Sequence, residues 1–251
     1  MKKLFVCFSA KDRYSIVQPI VYHLKNYGIN VWYDRYEMVM GDERLAKNIE
    51  EGAGQCEYAL IILSTNTIES VCATEEIKIL ESRYQKKEVV IFPVLYELKP
   101  SSIPVEFKWV SKLIFKEVNR TTGTLEICNH IACKITQDML CNCKHRTIKE
   151  IINADLCLPK SVNSLLSKYT QIDNANLNSR VALLYSTYTV LQSDYLIIEG
   201  QLYDVPAKIF ERFFTETMLN LTVDYRDIWL LENSLCVLID RYITSCVESK
   251  I

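Results

Sequence analysis

The 251-residue chain has no apolar run approaching the roughly 20 residues that a helix needs to cross a bilayer, so no membrane role is expected. It also lacks an excess of charge of one sign. The 29 Lys and Arg are interspersed among 31 Asp and Glu, and a net charge of -2 provides no basic field for a phosphate backbone. Nucleic acid is therefore not an expected partner. Met1-Lys2-Lys3 leads directly into a strand, without the apolar region and small-residue cleavage site of a signal peptide, and a cytoplasmic location is expected. Internal repeats, low-complexity tracts and Gly- or Ser-rich linkers are missing too. Two domains, 1–145 and 146–251, should meet at a close-packed junction rather than hang on a tether.

The 10 cysteines form no short-spaced framework and read as reduced, partly buried thiols. One cluster, Cys128, His130, Cys133, Cys141, Cys143 and His145, has the residue types of a zinc site. If residues 124–140 are helical, however, Cys128 and Cys133 point about 140° apart, and the spacing fits no zinc template. No metal is expected.

The first 140 residues alternate strand and helix. Apolar strands are predicted at Lys3–Phe8, Ile29–Tyr33, Tyr58–Leu63, Val89–Leu95 and Lys112–Phe115. Helices are predicted at Ser15–Tyr27, Leu45–Glu51 and Glu69–Tyr84, the first ended by Gly28 and admitting Pro19 only in its first turn. Continuous apolar strands between helices indicate a flavodoxin-like α/β fold, a parallel sheet covered on both faces. Ligands of such sheets sit beyond the carboxyl ends of the strands where the winding reverses, and the loops after Phe8, Tyr33 and Leu63 open there. Beyond His145 the pattern becomes helical. Ile228, Leu231, Leu235, Leu238 and Tyr242, widened by Ile239 and Ile243, form a stripe that suits the core of a small all-α domain or an oligomerisation or sensing surface.

On the helix predicted at 69–84, Ala73, Ile77, Leu80 and Tyr84 make the apolar stripe. Glu75 projects almost opposite its centre, whereas Glu76 lies about 70° from it, on a flanking face shared with Cys72, Ile79 and Arg83. A carboxylate near the start of that helix can reach into the cleft.

Three stretches carry a family resemblance: Phe5-Val6-Cys7-Phe8-Ser9-Ala10-Lys11-Asp12, then Trp32-Tyr33-Asp34 followed by Gly41-Asp42, then Ser64 through Glu76. In order and spacing they resemble a TIR domain of the bacterial, NAD-cleaving branch, over residues 1 to about 140. The resemblance implies that Glu76 is essential for breaking the nicotinamide–ribose bond. It also places Phe8, Ser9, Asp34, Gly41 and Cys72 around NAD, with Phe8 stacking on a base, Ser9 hydrogen-bonding a substrate oxygen and Gly41 giving the second loop its backbone freedom. Phe8 also fits as the end of the strand's core face, and Asp34 as a cap of its own loop. Cys72 stands where the family often has Trp, which leaves Tyr33, Tyr36 or Trp109 as sources of an aromatic surface.

One carboxylate suffices for this chemistry. Nicotinamide leaves a pyridinium as a neutral molecule and needs no general acid, unlike the leaving groups handled by the paired carboxylates of most glycosidases. What remains is to hold the ribose and offset positive charge as an oxocarbenium-like centre develops. NAD is then the substrate, and no cofactor is expected. The implied product is ADP-ribose or a cyclic or conjugated relative, made by an effector or signal producer in immune or antiphage defence. A homo-oligomer through the TIR domain, the C-terminal helices or both is implied, with the loop Arg35–Asp42 completing a neighbour's site and a protein or small molecule as trigger. The alternative is a non-enzymatic adaptor that works through TIR–TIR contact. A phosphoacceptor receiver on the same fold would need an Asp at the end of the third strand, which here reads Leu63-Ser64, and an acidic pair after the first, where only Asp12 stands.

Overall fold

The computed structural model describes residues 3–43, 45–141, 144–154, 158–195, 207, 210 and 223–248. Its contacts divide the chain into two compact units, Met1–Ile131 and Ala132–Ile251.

In the first unit five strands form a wholly parallel sheet: β1 (Lys3–Cys7), β2 (Asn30–Trp32), β3 (Tyr58–Leu63), β4 (Val90–Tyr96) and β5 (Lys116–Val118). The spatial order is β2-β1-β3-β4-β5, so the winding reverses at β1 and the carboxyl ends of β1 and β3 flank the switch point. All of β3 is buried, as expected of a parallel strand covered on both faces. The flavodoxin-like α/β architecture is the one read from the sequence.

Two local windings differ from the sequence reading. The predicted helix at Ser15–Tyr27 is preceded by a π-wound turn, Arg13–Val17, and becomes the α-helix α1 only at Gln18–Asn26. Pro19 has no N–H to return to the Ser15 carbonyl, and the preceding turn widens, with Gln18 N–H bonding Arg13 O. At the other end Gly28 (φ +75°) closes a Schellman motif, in which Ile29 N–H bonds Leu24 O at 3.1 Å and Gly28 N–H bonds Lys25 O at 2.9 Å. The strand predicted at Lys112–Phe115 is not formed. Lys112 ends a 3₁₀ segment, Leu113 N–H closes its last turn on Val110 O at 3.1 Å, and Ile114 is exposed. The last strand begins at Lys116; of that apolar run Leu113 and Phe115 pack toward the core and Ile114 faces out.

Between β2 and β3 lie the one-turn helix α2 (Asp34–Glu37) and a second π-wound segment, Leu45–Ala53. That segment rests directly on the sheet at Gly52, where a Cβ would stand 2.7 Å from Phe5 Cε2 and 3.3 Å from Trp32 Cε2. Phe5 and Trp32 are each 1% exposed with ring centroids 5.1 Å apart, so neither ring has room to yield. After β3 come α3 (Thr65–Ile68) and α4 (Val71–Gln85), whose Ala73, Ile77 and Leu80 join Phe5, Cys7, Ile61 and Leu63 in the core of this face. α5 (Leu125–Cys141) follows β5.

The second unit is helical: α6 (Ile148–Asn153), α7 (Lys160–Gln171), α8 (Leu177–Tyr195) and α9 (Tyr225–Glu248). Thr147 and Glu150 make a reciprocal capping box at the start of α6. Of the stripe read from the sequence, Ile228, Leu231, Leu235 and Ile239 are buried, whereas Leu238, Tyr242 and Ile243 are half-buried. A polar tie crosses three helices. Tyr169 of α7 donates to Glu232 of α9 at 2.7 Å, and Arg180 of α8 reaches the same carboxylate at 3.3 Å. Cys143 of the cysteine cluster lies outside the described residues.

Gly52→Ala should lower the stability of the first unit by about 1–3 kcal/mol, because the added methyl has no void to enter; urea unfolding measures this, and an unchanged midpoint would contradict the close approach. A second expectation concerns α9, where burial first, and the Asp224 charge among the lesser causes, push the Asp227 carboxyl up to about 6. A carboxyl whose folded pKa is raised contributes stability below its unfolded pKa and loses it as pH climbs through the folded value. Asp227→Asn should therefore gain on wild type as pH rises from about 4 to about 7. Paired chemical melts across that window check it, and parallel curves would contradict it.

Candidate active site

α4 begins at Ser70, whose Oγ caps the helix by accepting from Ala73 N at 3.3 Å. Its apolar residues lie against the sheet, so the next position round the wheel falls at the sheet's carboxyl edge. Glu75 is exposed, while Glu76 is only 6% exposed. The Glu76 Oε1 accepts a hydrogen bond from the side-chain amide of Asn48, carried by the π-wound segment. Beneath them the Cys7 thiol at the end of β1 donates to the Ala73 carbonyl at 3.6 Å, with the Glu76 carboxylate close by. Burial, then the adjacent carboxylate charge, push that thiol well above its ordinary pKa, so it stays protonated as a donor.

Glu76 and Asn48 line a pocket of about 240 Å³, together with Phe8, Arg13, Asp34, Met38, Cys72 and residues of the β1 and α4 ends. The opposite wall is built on Arg13. Its two terminal nitrogens donate to Asp34 Oδ1 and Oδ2 at 2.6 Å each, and one also donates to Tyr33 Oη at 3.1 Å. The guanidinium carbon sits 5.0 Å from the Phe8 ring centroid and 5.5 Å from that of Tyr33. Phe8 is thus held by cation–π contact and by Tyr33, 5.8 Å away, with the rest of its ring lining the pocket. Behind this wall the buried Asp12 accepts from Ser64 Oγ and, at 2.6 Å, from Asn66 Nδ2, tying the loop after β1 to the end of β3.

Four of the six residues singled out from the sequence meet here: Glu76, Phe8, Asp34 and Cys72 all line the pocket. Ser9 does not. Its Oγ accepts from Lys11 N at 3.4 Å and caps the 3₁₀ turn. Gly41 (φ +105°) is exposed in the second loop, outside the lining. Both Asp34 oxygens are taken by Arg13, and Oδ1 also accepts from Arg35 N at 2.7 Å. Of the aromatic candidates, Trp109 stacks on Tyr84 at 5.6 Å and Tyr36 packs edge-on against Tyr33, so the ring surface of the pocket is Phe8 itself.

Arg13, Asn48 and Met38 were not found from the sequence. Arg13 directly follows Asp12 of the first motif, a position that could have drawn notice. Asn48 left a fainter signal, a poor helix former inside a helical segment, and its partner 28 residues on is set only by the packing at Gly52.

Residues 4–121 match the family model described as "TIR domain". This segment is a TIR domain. Relatives of the TIR domain include the 2' cyclic ADP-D-ribose synthase AbTIR of Acinetobacter baumannii, 27% identical over 100 residues, which are 40% of this chain and 37% of that protein. The 2' cyclic ADP-D-ribose synthase BtTIR of Bacteroides thetaiotaomicron is 26% identical over 99 residues, covering 39% and 34%. The NAD(+) hydrolase TcpA of a Theionarchaea archaeon is 29% identical over 91 residues, covering 36% and 27%. The chain thus spans about a third of the length of these relatives. Among solved structures, the TIR domains of the activated Roq1 resistosome align with a TM-score of 0.46 at 18% identity, over 54% of this chain and 99% of that one.

Alkylation of the folded protein at about pH 8 should modify Cys72 and Cys141 first among the described cysteines, since both are exposed. Cys7 and Cys56 should react only after unfolding, as burial raises both thiols. Peptide mapping decides this, and early labelling of Cys7 would contradict the closed floor beneath Glu76.

Proposed function

We propose that this TIR domain cleaves the nicotinamide–ribose bond of NAD and that Glu76 is its catalytic carboxylate. The observation that carries the reading is a carboxylate only 6% exposed in a pocket that an aromatic ring, Phe8, also lines. A buried ionisable group is costly to hold, and such groups in clefts cluster at functional sites. A pocket of about 240 Å³ is too small for a whole dinucleotide and suits its nicotinamide–ribose end. Phe8 offers a stacking face, and Glu76 offers negative charge where positive charge grows on the ribose as neutral nicotinamide departs. The relatives, named a 2' cyclic ADP-D-ribose synthase and an NAD(+) hydrolase, agree with this bond as the one broken.

Water or an internal nucleophile then completes the reaction, giving ADP-ribose or a cyclic or conjugated product. Either loss of NAD or a diffusible product is an output that an immune or antiphage effector can use. Assembly into a homo-oligomer, with a protein or small molecule as trigger, belongs to the same proposal. The second loop leaves Val39 largely and Met40 fully exposed beside the lining residue Met38, and a neighbouring copy could cover them. The non-enzymatic adaptor has no use for the buried carboxylate.

Nicotinamide release from NAD by the full chain, measured over a range of protein concentrations, tests the proposal. Glu76→Ala should abolish release, at least a roughly hundredfold loss, while Glu75→Ala leaves it near wild type. Turnover should rise more steeply than linearly with concentration if assembly completes the site. Equal loss in both variants, or no release by the concentrated protein, would favour the adaptor.

A further inference from the structure

Glu76 is fixed through a residue on a different segment, and the arrangement bears on how the carboxylate works. Asn48 is 8% exposed and lines the same pocket as Glu76, which is 6% exposed. An Asn side chain has both a donor and an acceptor end, and here the donor end meets Glu76 Oε1. A neutral amide that donates to a carboxylate favours its ionised form without cancelling its charge, whereas a Lys or Arg at that place would neutralise it.

We propose that Asn48 is the positioning residue of the active site: its side-chain amide holds Glu76 ionised and fixes the direction in which the carboxylate faces the substrate. The proposal rests on the reading of Glu76 as the catalytic group and extends it to a residue that never needs to touch the substrate. Three features support it. Asn48 reaches Glu76 because Gly52 lets the π-wound segment lie on Phe5 and Trp32, so the donor rides on a rigid seat rather than on a mobile loop. Cys7, at the end of β1, stands near the same carboxylate as an uncharged thiol that donates to the Ala73 carbonyl. Arg13, the basic side chain of the lining, is clamped by both oxygens of Asp34 on the far wall.

The charged and titratable groups around Glu76 are therefore assigned by element. Cys7 comes from β1, Arg13 from the turn after it and Asp34 from α2; α4 itself carries Cys72, Glu75, Lys78, Glu81, Arg83 and Tyr84, and the π-wound segment that holds Asn48 carries Lys47, Glu50 and Glu51. β4, packed behind α4, brings only Tyr96 as an ionisable side chain. None of these is altered by a substitution at residue 48, so a change in Glu76 titration there reports on the amide.

Two near-isosteric variants test this in the full chain. Asn48→Leu removes the donor and keeps the bulk; Asn48→Asp replaces the donor by an acceptor of like charge. The first readout is the pKa of the Glu76 side-chain carboxyl, followed by carbon NMR in glutamate-labelled protein and assigned with Glu76→Gln. It should rise by about one unit in Asn48→Leu and further in Asn48→Asp. The second readout is nicotinamide release. kcat should fall roughly tenfold or more with KM near wild type, and the acidic limb of the kcat profile should move up in pH with the carboxyl. Asn48→Gln, which keeps an amide donor on a longer stem, should recover part of both, separating the donor from a general packing effect. A Glu76 pKa unmoved in both Leu and Asp variants overturns the proposal, whether or not the protein turns over NAD. A moved pKa in a protein that releases no nicotinamide would sink the catalytic reading of the pocket and leave the Asn48 control of Glu76 standing.

Discussion

Removing a carboxylate from water costs several kcal/mol unless hydrogen bonds replace the lost hydration, and the placement of Glu76 has to meet that cost. The answer is distributed over three segments far apart in sequence. Ala73, Ile77 and Leu80 pull α4 onto the sheet and carry Glu76 inward with them. The π-wound segment supplies the Asn48 amide, and β1 ends in a thiol that cannot easily ionise. A missing side chain at Gly52 makes the second contribution possible, since any Cβ there would lift the segment off Phe5 and Trp32.

The other wall follows a different logic. Arg13 satisfies Asp34, Tyr33 and the face of Phe8 at once, so a single guanidinium fixes the ends of the loops after β1 and β2. Planar, bidentate pairing of this kind holds geometry better than a lysine would. The Phe8 ring is consequently oriented before any ligand arrives, and less ordering is left for binding to offset.

Much of this was legible in the chain. The continuous apolar strands announced a parallel sheet, because each had to be covered on both faces, and the helical wheel separated Glu76 from Glu75 by their angle to Ala73, Ile77 and Leu80. What stayed hidden depends on long-range packing or on local backbone chemistry. Asn48 and Glu76 meet only after two segments have docked. Arg13 and Asp34 are placed together by sheet order, and a sequence shows each merely as a charged residue near a turn. The Lys112–Phe115 strand was misplaced because an apolar run by itself does not distinguish a strand from a 3₁₀ turn with Ile114 outside. Motif position alone does not reveal that the Ser9 hydroxyl accepts from the backbone two residues on.

The Arg13–Asp34 pair also determines how the pocket meets a charged molecule in solution. With side chains only 11% and 30% exposed, the two charges cancel within a few ångströms and contribute little field beyond the wall. Phosphate groups approaching the mouth find no open positive charge on that wall, so long-range attraction adds little to their arrival there. The pair itself therefore adds little to any long-range steering toward the pocket.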